Sequence, residues 1–268
     1  MASRLALLAA GLIVTAGLAT PSAGAAPANR CPAAEAVTAL SGPARAKQPP
    51  PGAPTESAPG TYNTRLRPTP LGWPVQDHWC VWIEPAGSGI GQADPASAEG
   101  QRAIQWQNAV RAALEQWQTL LSISLVEHPD QAQVRLWRRR PPLQRLADGR
   151  TRASHGRAVL QLLQVRRGGQ EHLEPRVEVL LSPGQRALAL QATALHELGH
   201  AFGLWGHSDD AADAMAAVPG AMPVLRLSPR DRATMHWLLR QGDRLQMPAG
   251  PAQSPAAAPR PAPAPTAD

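Results

Sequence analysis

The stretch HELGHAFGLWGHSD, residues 196–209, places three histidines and a glutamate within twelve consecutive positions. Residues four apart on an α-helix share a face, so His196 and His200 can offer both imidazoles to one cation. Glu197 then reaches the fourth coordination position, where a carboxylate can take a proton from water on that ion. Two histidines leave such a site incomplete. Gly203, having no Cβ, lets the chain turn sharply out of the helix and bring a later side chain back. A third ligand ten residues after the first would fall on Gly206, and the next residue is His207. Glycines 203 and 206 bracket the loop and give it freedom to bulge by one residue while still aiming His207 at the ion. Asp209 and Asp210 are competing donors, since carboxylate oxygen also binds zinc, but each needs a longer excursion. An isolated H-E-x-x-H also arises by chance on exposed helices; Gly203 and His207 weigh against chance here.

Outward from this stretch, periodicity predicts the frame that carries it. The segment HWCVWIEP (78–85) alternates Trp79, Val81 and Ile83, as a half-buried strand does. Residues 98–121 place Ile104, Ala109, Ala112, Ala113, Trp117 and Leu120 at helical spacing, predicting a long amphipathic helix. Short strands are expected at SISLVE (122–127), AQVRLW (132–137), RAVLQLL (157–163) and RVEVLLS (176–182). A second long helix is expected over 183–203, its last two turns carrying the histidines. This order predicts an α+β or α/β arrangement, a twisted mixed sheet covered by long helices, with α+β preferred. The segment LSPRDRATMHWLL (227–239) reads as a closing helix with Ser228 as N-cap, Pro229 at the first helical position and Asp231 completing a capping box. Of the eight tryptophans, Trp79, Trp82, Trp106 and Trp117 fall on core positions of these elements.

The ends differ from the middle. Residues 1–25 show one base, an apolar run too short to span a bilayer, and Ala23 and Ala25 in A-x-A spacing; this predicts a cleaved secretory signal and a secreted or periplasmic protein. Proline is abundant, 29 residues, and concentrates near residue 50 and at the C-terminus. Residues 26–70 and 246–268 are therefore expected to be disordered, with one domain over 71–245. The two cysteines, Cys31 and Cys80, suggest a disulfide that pins the N-terminal segment to the first strand; a single-thiol switch on the metal is the weaker alternative. The formal charge is +6, nearly all of the base is arginine, and a cluster of it lies over 135–157. Trp137 alone accompanies that cluster, which argues against a nucleic-acid surface and for a solvated loop able to steer acidic partners.

Further along, Ser208 directly follows His207, and Met215 lies eight residues beyond it. With these features the chain resembles the metzincin metalloproteases, and among them the matrixins, in particular a bacterial secreted branch in which one residue is inserted before the third histidine. The resemblance covers residues 192–239 by motif and 73–190 by element order. It implies one catalytic Zn2+ held by His196, His200 and His207, Glu197 as the catalytic base, and Met215 as the methionine of a Met-turn beneath the metal. The implied activity is hydrolysis of peptide bonds in protein or peptide substrates by an exported monomer with no stable membrane insertion. Two alternatives stand beside it: an inactive matrixin-like binding protein, and a zinc hydrolase of non-peptide amides such as cell-wall material. The Met-turn reads Asp213-Ala214-Met215-Ala216, without the tyrosine common after the methionine, and no cysteine-switch propeptide is recognisable. Of the remaining histidines, His155 and His172 are the pair a second metal would use, a surface or core role being preferred.

Overall fold

The computed structural model describes residues 31–40, 54–87, 94–145 and 149–247. The expected signal at 1–25 and, from residue 248 on, the expected C-terminal tail lie outside them. In chain order the elements are β1 (Ala36–Ala39), β2 (Trp79–Ile83), α1 (Ala98–Gln118), β3 (Ile123–Leu125), β4 (Val134–Trp137), β5 (Gln144–Arg145), β6 (Thr151–Arg152), β7 (Gly156–Arg167), β8 (Gln170–Leu181), α2 (Ala187–Ala201) and α3 (Pro229–Leu239). Six strands form one sheet in the order β1-β7-β8-β4-β2-β3. The neighbours β3, β2, β4 and β8 are parallel, and β7 and β1 are antiparallel to the strands they join. A mixed sheet with three helices is the expected α+β class.

The strand β2 departs from expectation in its burial. Alternation implied one wet face, yet every residue of β2 is buried. One face, with Trp79 and Val81, joins the main core. On the other, Cys80 is covered by its bond to Cys31, and Trp82 packs edge-on against Trp137 with ring centroids 4.7 Å apart. A central parallel strand covered on both faces has no solvent side.

Packing of α1 against α2 positions the histidine stretch. Ser97 caps α1, its hydroxyl accepting from the Gly100 N–H at 3.0 Å. Trp106, Val110, Ala113, Leu114 and Trp117 turn inward and are buried. The Trp117 indole donates to the Leu195 carbonyl at 3.0 Å, which ties α1 to α2 at the residue before His196. The indole satisfies its one donor inside the core while burying its rings, so the tie combines packing with a hydrogen bond.

Strands β7 and β8 are longer than expected, pairing in register from Gly156↔Leu181 to Arg167↔Gln170. Gly168 and Gly169, both at positive φ, make the two-residue turn that suits a twisted hairpin. Polar pairs extend it beyond its apolar stretch: Arg167 meets Glu174 at 2.8 Å and Arg166 meets Glu171 at 3.6 Å.

The N-terminal segment corrects the expectation of disorder over 26–70. Residues 31–40 and 54–70 are ordered against the domain, and Tyr62 and Leu66 are buried in its core. Composition misled because β1 is held without burying its side chains: all four of its residues are exposed, and main-chain pairing to β7 and the Cys31–Cys80 disulfide secure it. Among the described residues no helix is long and apolar enough to cross a membrane.

Cys31 and Cys80 are 49 residues apart, and a crosslink over that span removes about 4 kcal/mol of unfolded-state entropy by the loop-closure relation. The double variant Cys31→Ser/Cys80→Ser is expected to lose about 2–4 kcal/mol of unfolding free energy in urea titrations, whereas an unchanged midpoint would show that the crosslink does not stabilise the domain.

Candidate metal centre

The last two turns of α2 bring the H-E-x-x-H residues to the end of the sheet near the start of β7. His196 Nδ1 lies 2.9 Å from the Ala214 carbonyl and His200 Nδ1 lies 2.8 Å from the Leu204 carbonyl. A carbonyl only accepts, so both rings carry hydrogen at Nδ1 and leave the Nε2 lone pair free to bind a cation. His207 completes the group: one nitrogen from each of the three rings can be chosen so that all lie within 4.8 Å of one another. The Nε2 atoms of His200 and His207 are 3.2 Å apart, close to the ~3.3 Å edge that two nitrogens span on a tetrahedral zinc at 2.0–2.1 Å. Burial pushes the pKa of all three histidines down, that of His200 to about 3 with the charge of His196 adding to it. Neutral imidazoles are the form that ligates. The donor set therefore fits a borderline-soft cation such as zinc, through three nitrogens with a fourth position open.

Glu197 stands beside this group and is buried. Burial raises its pKa to about 7, opposed by a hydrogen bond from the Ala158 N–H and by the charge of Arg157. A carboxyl poised there can accept and return a proton near neutrality. Gly156 makes room for it, because a Cβ at that position would lie 2.8 Å from Glu197 Oε1 and 2.7 Å from its Cγ.

The loop after α2 answers the question of the inserted residue. Gly203 adopts φ +110, as a turn out of the helix requires. Gly206, expected to serve through the same freedom, does not take a positive φ; it is needed for space. A Cβ there would sit 2.2 Å from the Arg65 carbonyl oxygen, in the short 3-10 helix Asn63–Arg65. The extra residue thus passes over the N-terminal segment, and Trp205 stacks on the His200 ring at 5.5 Å.

Beyond His207 the chain is clamped. The Ser208 N–H bonds to the Met215 carbonyl at 2.8 Å and the Ser208 carbonyl accepts from Ala217 at 3.0 Å. Asp213, buried, accepts from the hydroxyls of Ser208 and Ser228 at 2.5 Å each. Asp231, fully buried, accepts from the N–H groups of Ala214 and Ser228 at 2.8 and 2.9 Å, more distantly from that of Met215, and from the Tyr62 hydroxyl at 2.9 Å. Met215 is buried beneath α2, where a Cβ on Gly199 would lie 2.2 Å from its sulfur.

The structure brings together His196, His200, His207, Glu197 and Met215. The rival carboxylates are engaged elsewhere: Asp209 pairs with Arg65 and Arg230 at 2.9 Å each, and Asp210 faces Arg230 at 3.9 Å. His155 and His172 join no group able to hold a metal among the described residues. Sequence reasoning missed Gly156, the Ala158 N–H, Asp213 and the wider role of Asp231; the capping box of Asp231 was its only visible signal. No protein-family model matches this chain, and no curated protein matches it.

Gly206→Ala is expected to weaken zinc binding about 10–100-fold in competition with a chromophoric chelator, the range for residues that orient a ligand. Gly184→Ala, where a Cβ meets nothing within 4 Å, serves as the control. Equal affinity in the two variants would show that the His207 loop tolerates displacement.

Proposed function

We propose that this chain is an exported zinc-dependent endopeptidase of the matrixin type. The observation that carries the proposal is the convergence of three neutral imidazoles with a buried carboxyl whose pKa is near 7. Zinc, when bound by His196, His200 and His207, supplies Lewis acidity that lowers the pKa of water towards about 7 and polarises a carbonyl.

The protein's own groups do the rest. Glu197 accepts the proton of the attacking water and passes it to the leaving amine, which is why a carboxyl held near neutrality suits the task. The Ala158 N–H and the space at Gly156 hold that carboxyl in place at the head of β7. The Ala214 and Leu204 carbonyls hold the His196 and His200 rings. On its outer edge β7 pairs with β1 only from Leu163 to Arg166, and no described strand covers that edge over 156–161. An extended peptide can add to this edge by main-chain hydrogen bonds, which brings a backbone amide beside Glu197.

The test combines metal removal with one substitution. Chelation is expected to abolish peptide cleavage and equimolar zinc to restore it. Glu197→Ala is expected to keep close to one zinc per chain while turnover falls about 10²–10⁴-fold, the usual worth of a positioned base. Cleavage by metal-free protein, or wild-type turnover in Glu197→Ala, would overturn the reading.

A further inference from the structure

We propose that Arg145 and Arg152 on the β5–β6 hairpin, with Arg157 at the head of β7, form a recognition surface for acidic polypeptide, selecting substrates that carry aspartate or glutamate near the bond to be cut. The inference rests on the peptidase reading above and adds a substrate class to it.

Three observations carry it. The first is charge without compensation. Residues 138–157 include seven arginines and one acid, Asp148; Arg138 pairs with Glu99, and the surface proposed here does not include Arg138 or Arg150. Arg139, Arg140, Arg145 and Arg152 are exposed, and with Arg157 they meet no carboxylate within 4.0 Å among the described residues. By contrast Arg65, Arg102, Arg135, Arg138, Arg166, Arg167, Arg230 and Arg244 each meet at least one. Arg145 is opposite Thr151, and Arg152 is opposite Gln144. The two arginines therefore stand on opposite faces of the ribbon, and each face carries a free cation.

The second observation is position. The hairpin leads directly into β7, whose first residues contact Glu197. Arg157 follows Gly156, where a Cβ would touch Glu197. The arginine's Nη2 is buried and makes no hydrogen bond, so Arg157 contributes its charge to the site rather than a direct contact. Arg152 is five residues away, a reach of at most about 17 Å. A bound peptide extended along the site covers the same distance in about five residues, so acidic side chains on either side of the scissile bond come within range of these cations.

The third observation separates this surface from one for nucleic acid. Base stacking needs exposed aromatic faces, and the nearby aromatic is committed: Trp137 packs on Trp82, carries Arg139 over its ring at 4.5 Å, and donates its indole N–H to Glu178. Exposed, dispersed guanidinium groups without a stacking platform suit flexible carboxylates, whose attraction is long-ranged and screened by salt.

The experiment uses two fluorescent peptides of matched sequence, one bearing glutamates and the other glutamines at the flanking positions. Binding to zinc-loaded Glu197→Ala protein is read by anisotropy, and wild-type kcat/KM is measured on the same pair. The glutamate peptide is expected to bind about tenfold more tightly at low ionic strength, the size that a few exposed charge pairs supply together. That advantage should fall to about twofold at high salt and in Arg145→Gln/Arg152→Gln. Equal binding of the two peptides, or a preference that survives both salt and the double substitution, would overturn the proposal. Displacement of the glutamate peptide by duplex DNA through the same arginines would overturn it in favour of a nucleic-acid surface. Selective binding without cleavage of either peptide would leave the acidic surface standing and reject the peptidase reading instead. Because the salt titration needs no substitution, the outcome does not depend on how the double variant folds.

Discussion

The buried carboxylate of Asp231 is the constraint on which the metal centre depends. It sits in the first turn of α3, where the unpaired N–H groups and the helix dipole favour negative charge, and one oxygen accepts from the Ser228 N–H to complete the cap. The same carboxylate reaches out of its helix to the Ala214 N–H and the Tyr62 hydroxyl. Burial, then the negative charge beside it, raises the pKa of that tyrosine, so it remains a hydrogen donor. A buried charge is tolerable only when its lone pairs are filled, and each partner here belongs to a different part of the chain: the N-terminal segment, the turn around Ala214 and Met215, and α3. Once Ala214 is held by its N–H, its carbonyl is in place to accept from His196. One residue thereby links the closing helix to the orientation of His196, a candidate metal ligand. Asp213 does parallel work for His207, since it anchors the hydroxyl of the adjacent Ser208 to Ser228.

Much of this frame was legible where periodicity and chemistry coincide. The helix α1 follows from apolar spacing, α3 from its capping box, His196, Glu197 and His200 from helical spacing, and His207 from the glycine that lets the chain turn back after α2. The strand β1 left no such signal, because its side chains are exposed and its pairing is main-chain. Proline-rich surroundings concealed Tyr62 and Leu66, two buried anchors in a segment whose average composition denotes disorder. Gly156 left no signal, and Gly206 was read for conformational freedom rather than space, because what each makes room for, Glu197 or Arg65, is distant in sequence and known only once the chain has folded. The inserted residue before His207 reads as a defect in one dimension and as a crossing over the N-terminal segment in three.

The two cysteines and the hairpin β7–β8 show how the domain covers one part of a sheet edge and leaves another without a strand partner. An open edge strand is a template for unwanted pairing. Here β1 caps β7 at its far end, from Leu163 to Arg166, and the Cys31–Cys80 bond ties the segment leading into β1 to β2, farther along the same sheet. Nearer Glu197 no described strand adds to the edge, where the Ala158 N–H instead meets the Glu197 carboxyl. Protection and access are thus separated along one strand of twelve residues.

The central claim is that the loop clamped by Asp213 and Asp231 presents His207, despite the extra residue, as the third ligand of a three-imidazole site. X-ray absorption at the zinc edge of the loaded protein tests it directly, because imidazole rings scatter in a pattern that carboxylates do not produce. The account predicts three imidazole nitrogens at about 2.0–2.1 Å and one further oxygen. Two imidazoles with two or more oxygens would contradict it, and would mean that Asp209 or Asp210 leaves its arginine to take the position assigned to His207.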